Sequence, residues 1–129
     1  MTPPPVIPHS RPSLGEAEAA AAAEVVARGA VAQGREVAAF EAEVAAALGR
    51  RYGVAVSSGL AALHLALEAL RPATGAEPSV LMPSYVCGAL VHAARAAGGR
   101  PHLVDVNAAT GNLDEVPDLA GCDVAILPH

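Results

Sequence analysis

The stretch VLMPSYVCGALVHAARAAGGRPHLVDV, Val80 to Val106, passes from a short apolar run into a segment with helical spacing, stops at two glycines and returns to a second apolar run. Strand, helix and strand in this order are the signature of a βαβ unit. The two strands of such a unit lie parallel, because the helix carries the chain back across the sheet. The spacing predicts strands at Val80–Met82 and His102–Val106, joined by a helix from about Val86 to Ala97 that Gly98 and Gly99 close.

The same alternation extends both ways. Upstream, VAVSSGLAALHLAL (Val54 to Leu67) reads as a strand at Gly53–Val56 and a helix from about Gly59 to Leu70. Downstream, Val124–Leu127 reads as a fourth strand, and Asn107–Gly121, rich in turn formers, as a loop with one helical turn. Ahead of Tyr52 the pattern is helical. Ser13 and Glu16 have capping-box spacing and open a helix that runs to about Arg28, where Gly29 stops it. A second helix follows Gly34, with Val37, Phe40, Val44 and Leu48 on one stripe until Gly49 and Glu36, Glu41 and Glu43 on the polar side. Met1 to Pro12 reads as an extended, proline-stiffened arm, and residues 13–129 as one α/β unit. The last strand, running into Pro128 and His129, has no crossover helix after it, so this unit reads as incomplete.

Composition narrows the classes of function. The chain has 129 residues, 53% apolar and 16% charged, with a net charge of -5. That is enough apolar material for one core or for part of a larger domain. The basic residues are all arginines and are scattered, so no basic face awaits a nucleic-acid backbone. The proline-rich start lacks the plan of a signal peptide, and Glu16, Glu18 and Glu24 interrupt the alanine-rich run. No membrane segment is expected, and the cytoplasm is the expected compartment. Cys87 and Cys122 make neither a disulfide framework nor a zinc spacing and read as small buried residues. His9, His64, His92 and His102 share no metal-ligand spacing, and no metal is expected.

The turn Ser57-Ser58-Gly59 is the chemically informative one. At the end of a strand and the start of a helix it offers unpaired N–H groups and the positive end of the helix dipole, a setting that favours an anion. Ser58 can cap the helix or donate its hydroxyl to a phosphate oxygen, and Gly59 lets a ligand approach the backbone. A serine cap also serves any α/β domain without a ligand. Neither GxGxxG nor GxxxxGK[ST] occurs, and the chain contains no lysine.

Taken as an ordered series, GREVAAFEAEVAAALG, VAVSSGLAALHLALEAL, VLMPSYVCGALVHAARAAGGRPHLVDVN, TGNLDE and VAILPH resemble the amino-terminal part of the DegT/DnrJ/EryC1/StrS family. The resemblance runs from about Ile7 to His129. These are pyridoxal-phosphate-dependent sugar aminotransferases with the aspartate aminotransferase-like fold, fold type I. The resemblance thus implies the amino-terminal part of a fold type I large domain, built of parallel βαβ units preceded by two helices.

For the site, the resemblance implies that Ser58, Gly59, Leu60 and Ala61 hold the phosphate of pyridoxal 5'-phosphate. The family's SGTAAL or SGTSAL has threonine where this chain has Leu60, a loss of one hydroxyl contact worth about 1 kcal/mol. The family's P-x-x-T-F aromatic, which stacks on the pyridine ring, aligns with Cys87, with Tyr85 two residues earlier. Either Tyr85 supplies the ring face or Cys87 makes a sulfur contact; alternatively, Tyr85 caps the strand and Cys87 is buried in the helix. Asp105 reads as a loop organiser, Asn107 replaces the second acid of the family's VDVD, and Asp114 reads as a turn residue.

The resemblance further implies a nucleotide-linked keto sugar and an amino-acid donor such as glutamate as substrates, in polysaccharide or secondary-metabolite sugar biosynthesis, and a homodimer. The family's tethering lysine and its aspartate for the pyridine nitrogen lie downstream of the matched region, so no catalytic residue is assigned and the chain alone is expected to be silent. Two alternatives stay open: a non-catalytic truncated homologue or scaffold module, and another fold type I enzyme such as a sugar dehydratase, for which the departure PSYVC gives the motive.

Overall fold

The computed structural model describes residues 10–71, 75–113 and 121–128. Most of the expected arm, Asp114 and His129 lie outside them. The chain divides into two compact units, Met1–Val54 and Ala55–His129.

The first unit holds α1 (Glu16–Ala27) and α2 (Arg35–Ala47). Alanine, the strongest helix former, carries α1, which buries no residue. Its start differs from the Ser13–Glu16 expectation. Gly15 is the cap, and its N–H donates to Glu18 Oε2 at 2.7 Å, so Glu18 makes the reciprocal contact in place of Glu16. That bond holds the Glu18 carboxyl below the usual carboxylate range. The expected stops at Gly29 and Gly49 are observed, and Arg28 Nη2 to Glu36 Oε1 at 3.0 Å ties the two helices across their turn.

The face that α2 buries is not the expected one. Phe40 is 58% and Leu48 69% exposed, whereas Ala45 is buried and Val37 and Glu41 are half-buried. The chain turns back after α2 and lays residues 50–53 along the Glu41–Ala45 side, so closely that a Cβ on Gly53 would stand 2.5 Å from the Glu41 carbonyl oxygen. Periodicity marks an apolar stripe but does not say which side the return segment covers.

The second unit runs α3 (Gly59–Ala69), β1 (Ser79–Pro83), α4 (Ala89–Ala96), β2 (Arg100–Val104) and β3 (Val124–Ala125). The strands form one parallel sheet in the order β2-β1-β3, with Ser79 opposite Arg100, Pro83 opposite Val104 and Leu81 opposite Ala125. The expected strand at Gly53–Val56 is not formed. None of its residues pairs with β1, β2 or β3, and a strand exists only as part of a ladder.

Central β1 is buried along its whole length. Val80 and Met82 join Leu67 of α3 and Ala93, Ala94 and Ala97 at α4 in one core, with Leu63, Leu90, Val91, Val124 and Ile126 packed around it. Each large side chain buried there contributes roughly 1.5–3 kcal/mol. The alanines bring α4 close to the sheet: a Cβ on Gly99 would lie 3.0 Å from Val80 Cγ2.

Helix α4 ends as its glycines predict. Gly98 adopts φ +70°, its N–H donates to the Arg95 carbonyl and the Gly99 N–H to the Ala94 carbonyl, a Schellman stop. Its start is later than the expected Val86, because residues 84–86 bend after the strand and Gly88 becomes the cap. Strand β2 is shifted two residues toward its start relative to expectation. Arg100 N–H donates to the Pro78 carbonyl and begins the ladder directly after the glycines, while at the far end Asp105 Oδ1 takes the Val106 N–H out of it.

Candidate functional site

Helix α4 leaves the carboxyl end of β1 and crosses to parallel β2, so its N-terminus lies at that end. Arg71, just past α3, brings Nη2 within 3.5 Å of the Cβ position of Gly98, just past α4. The two packed helices therefore run the same way, and the start of α3 shares the carboxyl edge of the sheet with the loops after β1 and β2. The strand order also reverses there: from β1 the chain goes to β2 on one side and returns to β3 on the other. Open α/β sheets bind ligands at such a point.

At the start of α3, Ser58 is extended and caps as expected. Its Oγ accepts from the Ala61 N–H at 3.1 Å, and its carbonyl accepts from the Ala62 N–H at 3.0 Å. The N–H groups of Gly59 and Leu60 meet no acceptor among the described residues, and no acidic side chain stands in the first turn. A Cβ on Gly59 would meet nothing within 4 Å among the described residues, which leave the backbone open to approach. These groups fit an anion such as a phosphate.

Ser58, Leu60, Ala61 and His64 line a mostly apolar hollow of about 310 Å³ with His92, Ala93 and Ala96 of α4. His64 Nδ1 is buried and has no hydrogen-bond partner among the described residues. The sequence predicts ordinary, partly exposed histidines, and His64 is half-buried and His92 exposed. The signal for His64 was its spacing three residues beyond Ala61, on the face that Ser58 begins; nothing local pointed to His92.

Tyr85 lies beyond β1, 77% exposed, in a second hollow of about 470 Å³ lined with Ser84, Asp105, Val106, Asn107, Ala108 and Gly111. The loops after β1 and β2 are stitched together here: Ser84 N–H donates to the Val104 carbonyl at 2.7 Å, and Asp105 Oδ1 accepts from Val106 N–H at 2.9 Å and Ser84 Oγ at 3.5 Å. Asp105 thus organises the loop, as its position in the sequence predicts.

Cys87 lines neither hollow. It is exposed and precedes α4, which corrects the expectation of a cysteine buried in the helix; the later start of the helix is the reason. Cys122, also expected to be buried, is half-buried at the amino end of the sheet, 3.7 Å from Ser79 Oγ. Among the described residues no group of three metal-ligating side chains forms, and no helix is long and apolar enough to cross a membrane.

The carboxyl edge of this parallel sheet thus carries a helix start with open N–H donors and an exposed aromatic ring. The model of the DegT/DnrJ/EryC1/StrS aminotransferase family matches residues 12–117, and this chain belongs to that family. Its members are generally pyridoxal-phosphate-dependent.

Proposed function

We propose that this chain is the amino-terminal part of a fold type I aminotransferase that transfers an amino group from an amino acid such as glutamate to a nucleotide-linked keto sugar, working in the cytoplasm as a homodimer. The observation that carries the reading is the start of α3: two N–H groups without acceptors, a serine cap and an open glycine, within the segment that the family model covers.

Pyridoxal phosphate supplies an electron sink for the transfer. The chain's own residues bind and orient. The N–H groups of Gly59 and Leu60, with the Ala61 N–H that Ser58 caps, would hold the phosphate, and the Ser58 hydroxyl would donate to it once an anion takes the capped N–H. Leu60 brings no hydroxyl, so backbone donors carry the anchor. Tyr85 offers an exposed ring face beside a hollow, which supports it as the residue facing the pyridine ring, with Cys87, exposed just before α4, as the alternative. The lysine that the reaction requires is not in these residues, so by themselves they perform no turnover.

Two measurements test this. The chain is titrated with pyridoxine 5'-phosphate, which lacks the reactive aldehyde, and with inorganic phosphate; saturable binding of both, tighter for the first, is expected. A longer polypeptide that includes a lysine downstream is then loaded with pyridoxal phosphate and given a keto-sugar nucleotide and glutamate. An amino sugar is the expected product. A deoxygenated sugar would move the assignment to a dehydratase, and no binding of either phosphate compound would end the reading.

A further inference from the structure

Tyr85 is an exposed ring with few neighbours, yet a stacking face needs a fixed place. One of its contacts is defined: a Cβ on Gly111 would lie 3.7 Å from both Cδ1 and Cε1 of the ring. Gly111 presents a bare backbone surface at φ +70°, and the loop that carries it is closed on itself. Asn107 N–H donates to the Asn112 carbonyl at 3.0 Å and Gly111 N–H to the Asn107 carbonyl at 2.8 Å. Asn107 Oδ1 accepts from Ala109 N–H at 2.7 Å, and Thr110 Oγ1 from Asn112 N–H at 3.2 Å. Asp105, two residues before the loop, bonds to Ser84, the residue before Tyr85.

We infer that residues 107–112 form a positioning loop for Tyr85, in which Gly111 sets where the ring stands and Asp105 ties the loop to the end of β1. The inference rests on the reading that Tyr85 faces the cofactor ring. A Cβ at position 111 would stand in ordinary van der Waals contact with the ring edge, so it is the atoms beyond Cβ in a larger side chain that would compete with the ring for its place. Asparagine is the informative substitute because it tolerates the left-handed backbone, so the loop keeps its form while the ring is displaced.

The test compares Gly111→Asn, Tyr85→Ala and the double variant by calorimetric titration with pyridoxine 5'-phosphate and with inorganic phosphate. Gly111→Asn is expected to weaken pyridoxine 5'-phosphate roughly 2- to 10-fold, the range of an aromatic stack, and to leave inorganic phosphate unchanged. The double variant is expected to be no weaker than Tyr85→Ala, because the glycine acts only through the ring. In a Tyr52→Phe background Tyr85 is the sole tyrosine, and its ring proton resonances are expected to shift in Gly111→Asn. Unchanged affinity, an equal loss for inorganic phosphate, additive effects or an unmoved ring each overturn the inference while leaving the anchor at α3 intact. If the unsubstituted chain binds pyridoxine 5'-phosphate no better than phosphate, the stacking role of Tyr85 itself fails, and this inference with it.

Discussion

Replacing Ser58 by aspartate separates the two tasks of the α3 start. Toward the helix the change is harmless: aspartate caps about as well as serine, and its charge gains about 0.3–1 kcal/mol from the helix dipole. Stability is expected to hold or rise. Ser58→Ala, which removes the 3.1 Å bond to the Ala61 N–H, is expected to cost about 1 kcal/mol. Toward a bound anion the sign reverses. A carboxylate about 4 Å from a phosphate oxygen repels it by about 1 kcal/mol at the dielectric of water and about 4 kcal/mol at an effective dielectric of 20. The site is open to solvent, so the true figure lies between, a loss of roughly 5-fold to 1000-fold in affinity. Urea midpoints followed by circular dichroism read the stability, and titration with pyridoxine 5'-phosphate at low salt reads the binding. The reasoning fails if Ser58→Asp binds as the unsubstituted chain does, or if it loses stability alongside Ser58→Ala.

Leu67 is 4% exposed in the core between α3 and the sheet, and Leu67→Ala is expected to cost about 2–5 kcal/mol, while exposed Leu65→Ala stays within about 0.5 kcal/mol; denaturant midpoints compare them directly. Asp123 Oδ2 accepts the N–H of buried Ser79 at 2.8 Å, so Asp123→Ala leaves that donor unpaired at about 1–3 kcal/mol and Asp123→Asn much less; equal losses in the two variants would show that the bond is not the cause. The Glu18 carboxyl is held below the usual range by the Gly15 N–H, so its contribution to α1 is present above the ordinary glutamate range and lost as pH falls through the lowered value. Acid titration of helicity is expected to show that loss, and Glu18→Gln to flatten it.

What the sequence disclosed was local. The Ser58 cap, the glycine stops of three helices and the βαβ order all depend on residues a few positions apart, and all are observed. The misses depend on distant partners. VAV at Val54–Val56 has the same apolar pattern as the true strands, yet it pairs with none of the three strands of the described sheet. Glu41 lies on the polar side of α2 by spacing and is half-buried because residues 50–53 return over it. The meeting of Tyr85 with Asp105 and Gly111 follows from the pairing of Pro83 with Val104, a register that appears only when the strands are laid side by side.

The central place of β1 sets an order of events. One neighbour, β2, follows it across a short helix, whereas Ser79 and Asp123 are 44 residues apart, and each doubling of a closing loop costs about 0.6 kcal/mol. That difference leads us to expect the β1-α4-β2 pairing to form ahead of the β1-β3 pairing. Damage to the earlier pairing, at Val80 or Ala94, is expected to slow folding, and damage at Asp123 to hasten unfolding. The Ile126 amide, bonded to the Leu81 carbonyl on that late-arriving side, would then be among the first of the sheet to exchange with solvent.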